Sequence, residues 1–196
     1  MKIVLLGPPG AGKGTQGDLL ADRCSVPKYA TGDILRDAVR RGTLLGLEAK
    51  RYMDAGELVP DDVVVGLVHE VLESPESQGG FILDGFPRTV AQAERLAGLL
   101  DQKGLQLETV VYFDVPEEEL VRRLAGRRVC SACGAVYNVH TDASAAGEAC
   151  QACGGRLEIR DDVFFMQEID QAGPGLAGLT RPGQRKPGED GADDLV

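Results

Sequence analysis

The sequence predicts an α/β fold: a central parallel sheet covered by helices on both faces, three layers wound around a phosphate loop (P-loop). Three observations predict it. Short apolar strand-like runs alternate with helical patterns along the first 127 residues. A glycine-rich turn ending in lysine joins the first strand to the first helix. Residues 128–159 then break the alternation with two Cys-x-x-Cys pairs, the mark of a small inserted lobe.

The first strand is Lys2–Leu6, too short an apolar run for a secretory leader. Residues 7–15 follow as Gly-Pro-Pro-Gly-Ala-Gly-Lys-Gly-Thr. Such glycines let several N–H groups converge on one point, a helix N-terminus adds partial positive charge, and Lys13 adds a full one. The ligand implied is a polyphosphate. Gly14 stands where Ser or Thr is usual in this loop, and Thr15 follows it. Helical patterns come next at Gly14–Arg23, Asp33–Arg41 (with Thr31 as its N-cap), Leu44–Ala55, Asp61–Glu73, Thr89–Asp101 and Glu117–Arg127. Further strands are expected at Phe81–Leu83 and Thr109–Phe113, with a weaker one at Val26–Tyr29.

Phe81-Ile82-Leu83-Asp84 is a buried strand ending in a carboxylate, where a phosphate-loop enzyme holds Mg²⁺ directly or through water. Arg88 and Gln92 lie four apart and are expected on one face, a guanidinium for phosphate and an amide for the edge of a base, with ordinary surface polar groups on a first helical turn as the alternative. Arg123 and Arg127 share the same spacing on the last helix, where an anion would offset their repulsion; with Arg122 and Arg128 beside them, a solvated basic face is the alternative. In the lobe, Cys130-x-x-Cys133 and Cys150-x-x-Cys153 form a zinc-ribbon pattern, four thiolates closing one structural tetrahedral site. Two disulfides, a redox dithiol or bound iron are the alternatives. Cys24 is expected as a small buried apolar residue, and His69 and His140 as surface or packing residues.

The formal net charge of -10 argues against nucleic acid as a general partner, so any anion must meet a local cluster of Arg and Lys. No run approaches a membrane span, and a cytoplasmic location is expected. Neither a Ser-His-Asp nor a Cys-His arrangement suggests covalent catalysis.

Taken in order, the motifs resemble the bacterial adenylate kinases of the zinc-bearing, long-lid type. The resemblance rests on Gly7–Thr15, Thr31–Arg36, Asp54–Pro60, Leu83–Arg88 (Leu-Asp-Gly-Phe-Pro-Arg), Phe113–Pro116, Gly126–Cys130 and Arg160–Asp162. It implies a core of residues 1–29, 60–126 and 160–170, an inserted AMP-binding helical arm at 30–59, and an inserted zinc-binding β lid at 127–159. It implies reversible transfer between Mg²⁺·ATP and AMP to give two ADP, by a monomer. Gly10, Ala11, Gly12, Lys13, Gly14 and Thr15 would cradle ATP, with Arg123 and Arg127 on its phosphates and Val136 and Tyr137 near its base and ribose. Thr31, Arg36, Glu57, Leu58, Val59, Gly85, Phe86, Pro87, Arg88 and Gln92 would bind AMP, and Arg160 would reach the phosphates under the closed lid. The charged members Lys13, Arg36, Arg88, Arg123, Arg127 and Arg160 would carry catalysis.

After Asp162 the pattern stops, and residues 171–196 are rich in glycine and proline, an expected disordered tail. By spacing, Gln171 takes the place of a further arginine of the family, which an amide does not replace. A shifted reading frame or a truncation would explain the change. Two rival functions follow: a nucleotide-binding homologue with impaired turnover, and a kinase for another nucleoside monophosphate.

Overall fold

The computed structural model describes residues 1–142 and 147–159. The expectations for Arg160, Gln171, the segment 160–170 and the tail 171–196 lie outside the described residues. Four parallel strands, β1 (Lys2–Leu6), β2 (Lys28–Ala30), β3 (Phe81–Asp84) and β4 (Thr109–Tyr112), lie in the order β2-β3-β1-β4. Val4 sits opposite Leu83 and Val110, and Leu5 opposite Asp84. Both central strands are covered on two faces, hence their continuous apolar sequences.

Alternation along β1 and β3 splits the core. Val4, Leu6, Phe81 and Leu83 pack with Leu67, Val68, Leu96 and Leu100 on one side of the sheet. Ile3, Leu5 and Ile82 pack with Val26, Leu20 and Ala21 on the other. Phe81, Ile82 and Leu83 are fully buried, each such side chain contributing about 1.5–3 kcal/mol.

The helices are α1 (Lys13–Cys24), α2 (Thr31–Arg41), α3 (Leu44–Ala55), α4 (Asp61–Glu73), α5 (Val90–Gln102) and α6 (Glu117–Ala125). Thr43 and Thr89 cap α3 and α5, accepting hydrogen bonds from the N–H groups of Gly46 and Gln92. Three expectations need correction. Thr31 is not the cap of α2: it is the first helical residue, and its hydroxyl donates to the Gly85 carbonyl at 3.1 Å. Helix α6 stops at Ala125, two residues short of Arg127, because Gly126 caps it and Asn138 Nδ2 donates to the Arg123 carbonyl at 2.8 Å. Arg123 and Arg127 therefore do not share a helix face. Cys24 is exposed, not buried, since it ends α1 just before Ser25 turns into the left-handed region at φ 52°.

Directly after Gly126 the chain enters β5 (Arg127–Cys130), which pairs antiparallel with β6 (Val136–Asn138) and β7 (Leu157–Ile159) in the order β6-β5-β7. Buried residues in this lobe are Cys130, Cys150 and Leu157, with Ala135 and Tyr137 packed against them. Among the described residues no helix is long and apolar enough to cross a membrane.

Candidate active site

The turn after β1 runs into α1 at the carboxyl end of the sheet, where open α/β sheets hold their ligands. Gly7 has φ 135°, and a Cβ there would lie 2.7 Å from the Phe113 carbonyl oxygen, so packing and backbone both demand glycine. Gly12 takes the left-handed cap position of α1 at φ 98°. Gly14 is different. A Cβ would meet Asp84 Oδ2 at 3.7 Å and Lys28 Nζ at 4.0 Å, ordinary contacts, so packing does not exclude a larger residue.

Lys13 Nζ donates to the carbonyls of Gly7 at 2.6 Å and Pro8 at 2.9 Å, which folds the side chain back over its own loop. Burial lowers its pKa; Asp84 opposes this, while Arg88 and Arg127 add to it. Asp84, at the end of β3, is pushed the other way: burial raises its pKa against the pull of Lys13 and Lys28. Lys28 was not singled out from sequence. Its Nζ pairs with Asp18 at 2.5 Å and donates to the Gly14 carbonyl at 3.2 Å, a second ammonium beside the loop. Its only sequence signal is a lysine inside the weak strand expected at Val26–Tyr29.

A cleft of 1530 Å³ brings most of the expected residues together. Gly10, Gly12, Lys13, Gly14 and Thr15 line it with Arg123, Arg127, Val136 and Tyr137 on one side. Asp84, Thr31, Arg36, Gly85, Pro87 and Arg88 line it on the other. Ala11, Glu57, Leu58, Val59, Phe86 and Gln92 are not on its wall. Ala11, Phe86 and Gln92 are buried, Glu57 and Leu58 are exposed, and Val59 packs beneath the larger core. The cleft thus gathers five of the expected cations, Lys13, Arg36, Arg88, Arg123 and Arg127, in a chain of net charge -10.

Arg88, Arg36 and Arg123 each have an anchor. Arg88 lies before the cap of α5 and donates from Nε to the Gly85 carbonyl at 2.9 Å. Arg36 pairs with Asp33 at 2.6 Å on an exposed face of α2. Arg123 donates to Glu119 at 2.8 Å and approaches the Gly10 carbonyl at 3.4 Å, which holds its guanidinium over the phosphate loop. Hydrogen bonds from Arg122 and then Arg123 draw the Glu119 carboxyl down to about 2.

The four lobe cysteines converge, all Sγ atoms lying within 4.8 Å of one another. Cys130 and Cys153 are 3.5 Å apart, Cys133 and Cys150 3.6 Å. Tetrahedral thiolates about 2.3 Å from a zinc ion stand roughly 3.8 Å apart, so the set fits that ion. Tyr137 has a task that the pattern did not reveal. Its hydroxyl lies 3.3 Å from Cys150 Sγ and accepts from the Ala152 N–H at 3.3 Å. The Tyr137 bond leads the effects that lower Cys150 to about 6. At Cys153 the Gly155 N–H favours the thiolate, but hydrogen bonds with Cys133 and Cys130 outweigh it and push the thiol up to about 12. Crowded thiols resist a full set of negative charges, which a dication would reverse.

A phosphate loop, a strand-end carboxylate and a ring of cations define a nucleotide-binding α/β protein of the phosphoryl-transfer class. The profile of the family described as adenylate kinase matches residues 5–177. The chain belongs to the adenylate kinase family. It is 55% identical over 162 residues to the adenylate kinase of Geobacter sulfurreducens. To those of Methanocella arvoryzae and Archaeoglobus fulgidus it is 51% identical. Each match covers 83% of this chain and 75% of the relative. The family profile runs to residue 177, while the matches to these relatives span 162 residues each.

Proposed function

We propose that the chain transfers the terminal phosphoryl group of Mg²⁺·ATP to AMP, giving two ADP, with Lys13, Arg36, Arg88, Arg123 and Arg127 as its described catalytic cations. The observation that carries this reading is their convergence on one cleft that also holds the phosphate loop and Asp84. A phosphate oxygen of AMP attacks the γ-phosphorus in line, and the bond to the β-phosphate oxygen breaks. No protein nucleophile is needed; alignment and positive charge around the transferring oxygens do the work.

In this reading Gly10, Ala11, Gly12, Gly14 and Thr15 turn backbone N–H groups to the donor phosphates. Lys13 leaves the Gly7 and Pro8 carbonyls to join them. Thr31, Gly85, Pro87 and Arg88 form the acceptor wall, with Phe86 and Gln92 behind it and with Arg36, Glu57, Leu58 and Val59 closing it from the arm. Residues 30–59 act as that arm and 127–159 as the lid, over a core of 1–29, 60–126 and 160–170. Val136 and Tyr137 face the donor base and ribose, and Arg160 is proposed to join the phosphates. Asp84 would hold Mg²⁺, which neutralises charge on the phosphate oxygens when bound. Cys130, Cys133, Cys150 and Cys153 would hold a structural zinc ion. The protein is proposed to act as a cytoplasmic monomer.

The test is a coupled assay of the purified full chain with ATP, AMP and Mg²⁺. ADP formed in twofold ratio to AMP consumed supports the proposal. Tight binding of a bisubstrate dinucleotide without ADP formation would overturn it in favour of a binding protein. A preference for UMP or CMP would overturn the choice of acceptor.

A further inference from the structure

We infer that Asp61 is a positioning residue for the acceptor site, acting through Gln92 on Arg88. The inference rests on the acceptor role proposed above for Arg88 and Gln92. Asp61 is the first residue of α4, directly after the Glu57–Pro60 segment that closes the arm. Its carboxylate bridges to the start of α5. Gln92 Nε2 donates to Oδ1 at 2.5 Å, and Thr89 Oγ1 donates to Oδ2 at 2.8 Å. Gln92 Oε1 in turn accepts the Arg88 N–H at 2.8 Å, and the Gln92 N–H donates to Thr89 Oγ1 at 3.1 Å.

Beyond Arg88 the chain of bonds continues. Arg88 Nε and Thr31 Oγ1 both donate to the Gly85 carbonyl, at 2.9 and 3.1 Å. A path of hydrogen bonds therefore runs from Asp61 through Gln92, Arg88 and Gly85 to Thr31, from the end of the arm to its beginning. Gln92 is 5% exposed, so its amide orientation is set by these partners: the carboxylate takes the NH₂ end, and only the oxygen is left for the Arg88 N–H. The carboxylate thereby fixes both the side chain proposed to meet the acceptor base and the backbone that carries the acceptor-phosphate arginine.

A simpler role would be helix packing or a favourable charge at the N-terminus of α4. Asp62, the next residue, already makes the plain surface tie, an ion pair with Arg95 of α5. The two roles separate in variants. Asp61→Asn loses the charge but keeps an oxygen for Gln92 Nε2, and its NH₂ meets a Thr89 hydroxyl that can accept. Asp61→Ala loses both. Losing a half-buried, charge-assisted acceptor whose partner Gln92 is buried predicts about a tenfold change.

The experiment measures KM for AMP and for ATP in the full chain, with AMP binding followed by calorimetry. Asp61→Ala is expected to raise KM and Kd for AMP about tenfold or more, with KM for ATP moving less than about twofold. Asp61→Asn is expected to stay within about threefold of wild type for AMP. Equal AMP defects in the Asn and Ala variants, or equal shifts for AMP and ATP, would overturn the inference. Should Asp61→Ala fail to fold, Thr89→Val removes one donor to the same carboxylate. It is expected to weaken AMP alone by about threefold, and an equal loss for ATP would overturn the inference. A wild-type chain that binds AMP but forms no ADP would defeat the proposed reaction and leave the calorimetric comparison to decide the role of Asp61.

Discussion

The central sheet and the cysteine lobe solve the same problem by different means. The sheet buries Val4, Leu5, Phe81, Ile82 and Leu83 between helices on two sides. Among its described residues the lobe buries Leu157 and two cysteines, with Ala135 and Tyr137 packed against them. A segment that small does not recover its chain entropy from apolar burial. With the zinc ion proposed above bound among them, its four converging sulfurs would supply the missing cohesion. On that proposal one region is held by area removed from water and the other by coordination, so they should fail under different insults.

Metal removal should give the largest contrast. Structural zinc contributes about 10–16 kcal/mol to folding in zinc-finger peptides. A strong chelator, or Cys150→Ser, is expected to abolish hydrogen-exchange protection across Arg127–Cys130 while Ile3–Leu5 stays protected. Loss of protection in both regions at once would break the comparison.

Phe81→Ala strikes the opposite side. A fully buried phenylalanine truncated in a close-packed sheet costs about 3–5 kcal/mol. Urea unfolding should report that loss, while zinc content stays at one ion per chain. Tyr137→Phe tests the lobe more finely. Removing the hydroxyl beside Cys150 should weaken zinc about 10- to 100-fold in a competition titration, as loss of an outer-shell partner does. Urea stability of the sheet should be unchanged.

The smallest effect concerns the link between the two regions. Glu119 is held at about 2 against an ordinary 4.5, so its contribution to stability is full above about 4.5 and is lost as pH falls toward 2. Asp84 has the opposite sign. Its folded value is raised, so its contribution is present below 3.8 and lost as pH rises through the folded value. Glu119→Gln should flatten the acid limb of stability slightly, and Asp84→Asn should remove a fall on the other side. Stability curves against pH read both.

Much of this organisation was legible in sequence where one residue type has one job. The glycine loop, the strand ending in Asp84 and the cysteine pairs announced their places because backbone geometry and ligand chemistry leave few substitutes. Legibility ended where one spacing serves two structures. Arg123 and Arg127 have helical spacing, yet Gly126 ends the helix between them. Thr31 has the composition of a cap, but a carbonyl from the next strand loop takes its hydroxyl. Asp61 opens the expected helix Asp61–Glu73; that its carboxylate reaches Gln92 depends on how α4 and α5 pack, which local pattern does not encode.

Arg127 opens β5 immediately after the cap of α6, so this guanidinium belongs to the lobe's sheet and not to the core's helix. After burial, Asp84 and Arg88, it is one of the influences on the proton affinity of Lys13. A charge carried by the first strand of the lobe is thus felt, more weakly than burial, Asp84 or Arg88, at the lysine of the phosphate loop.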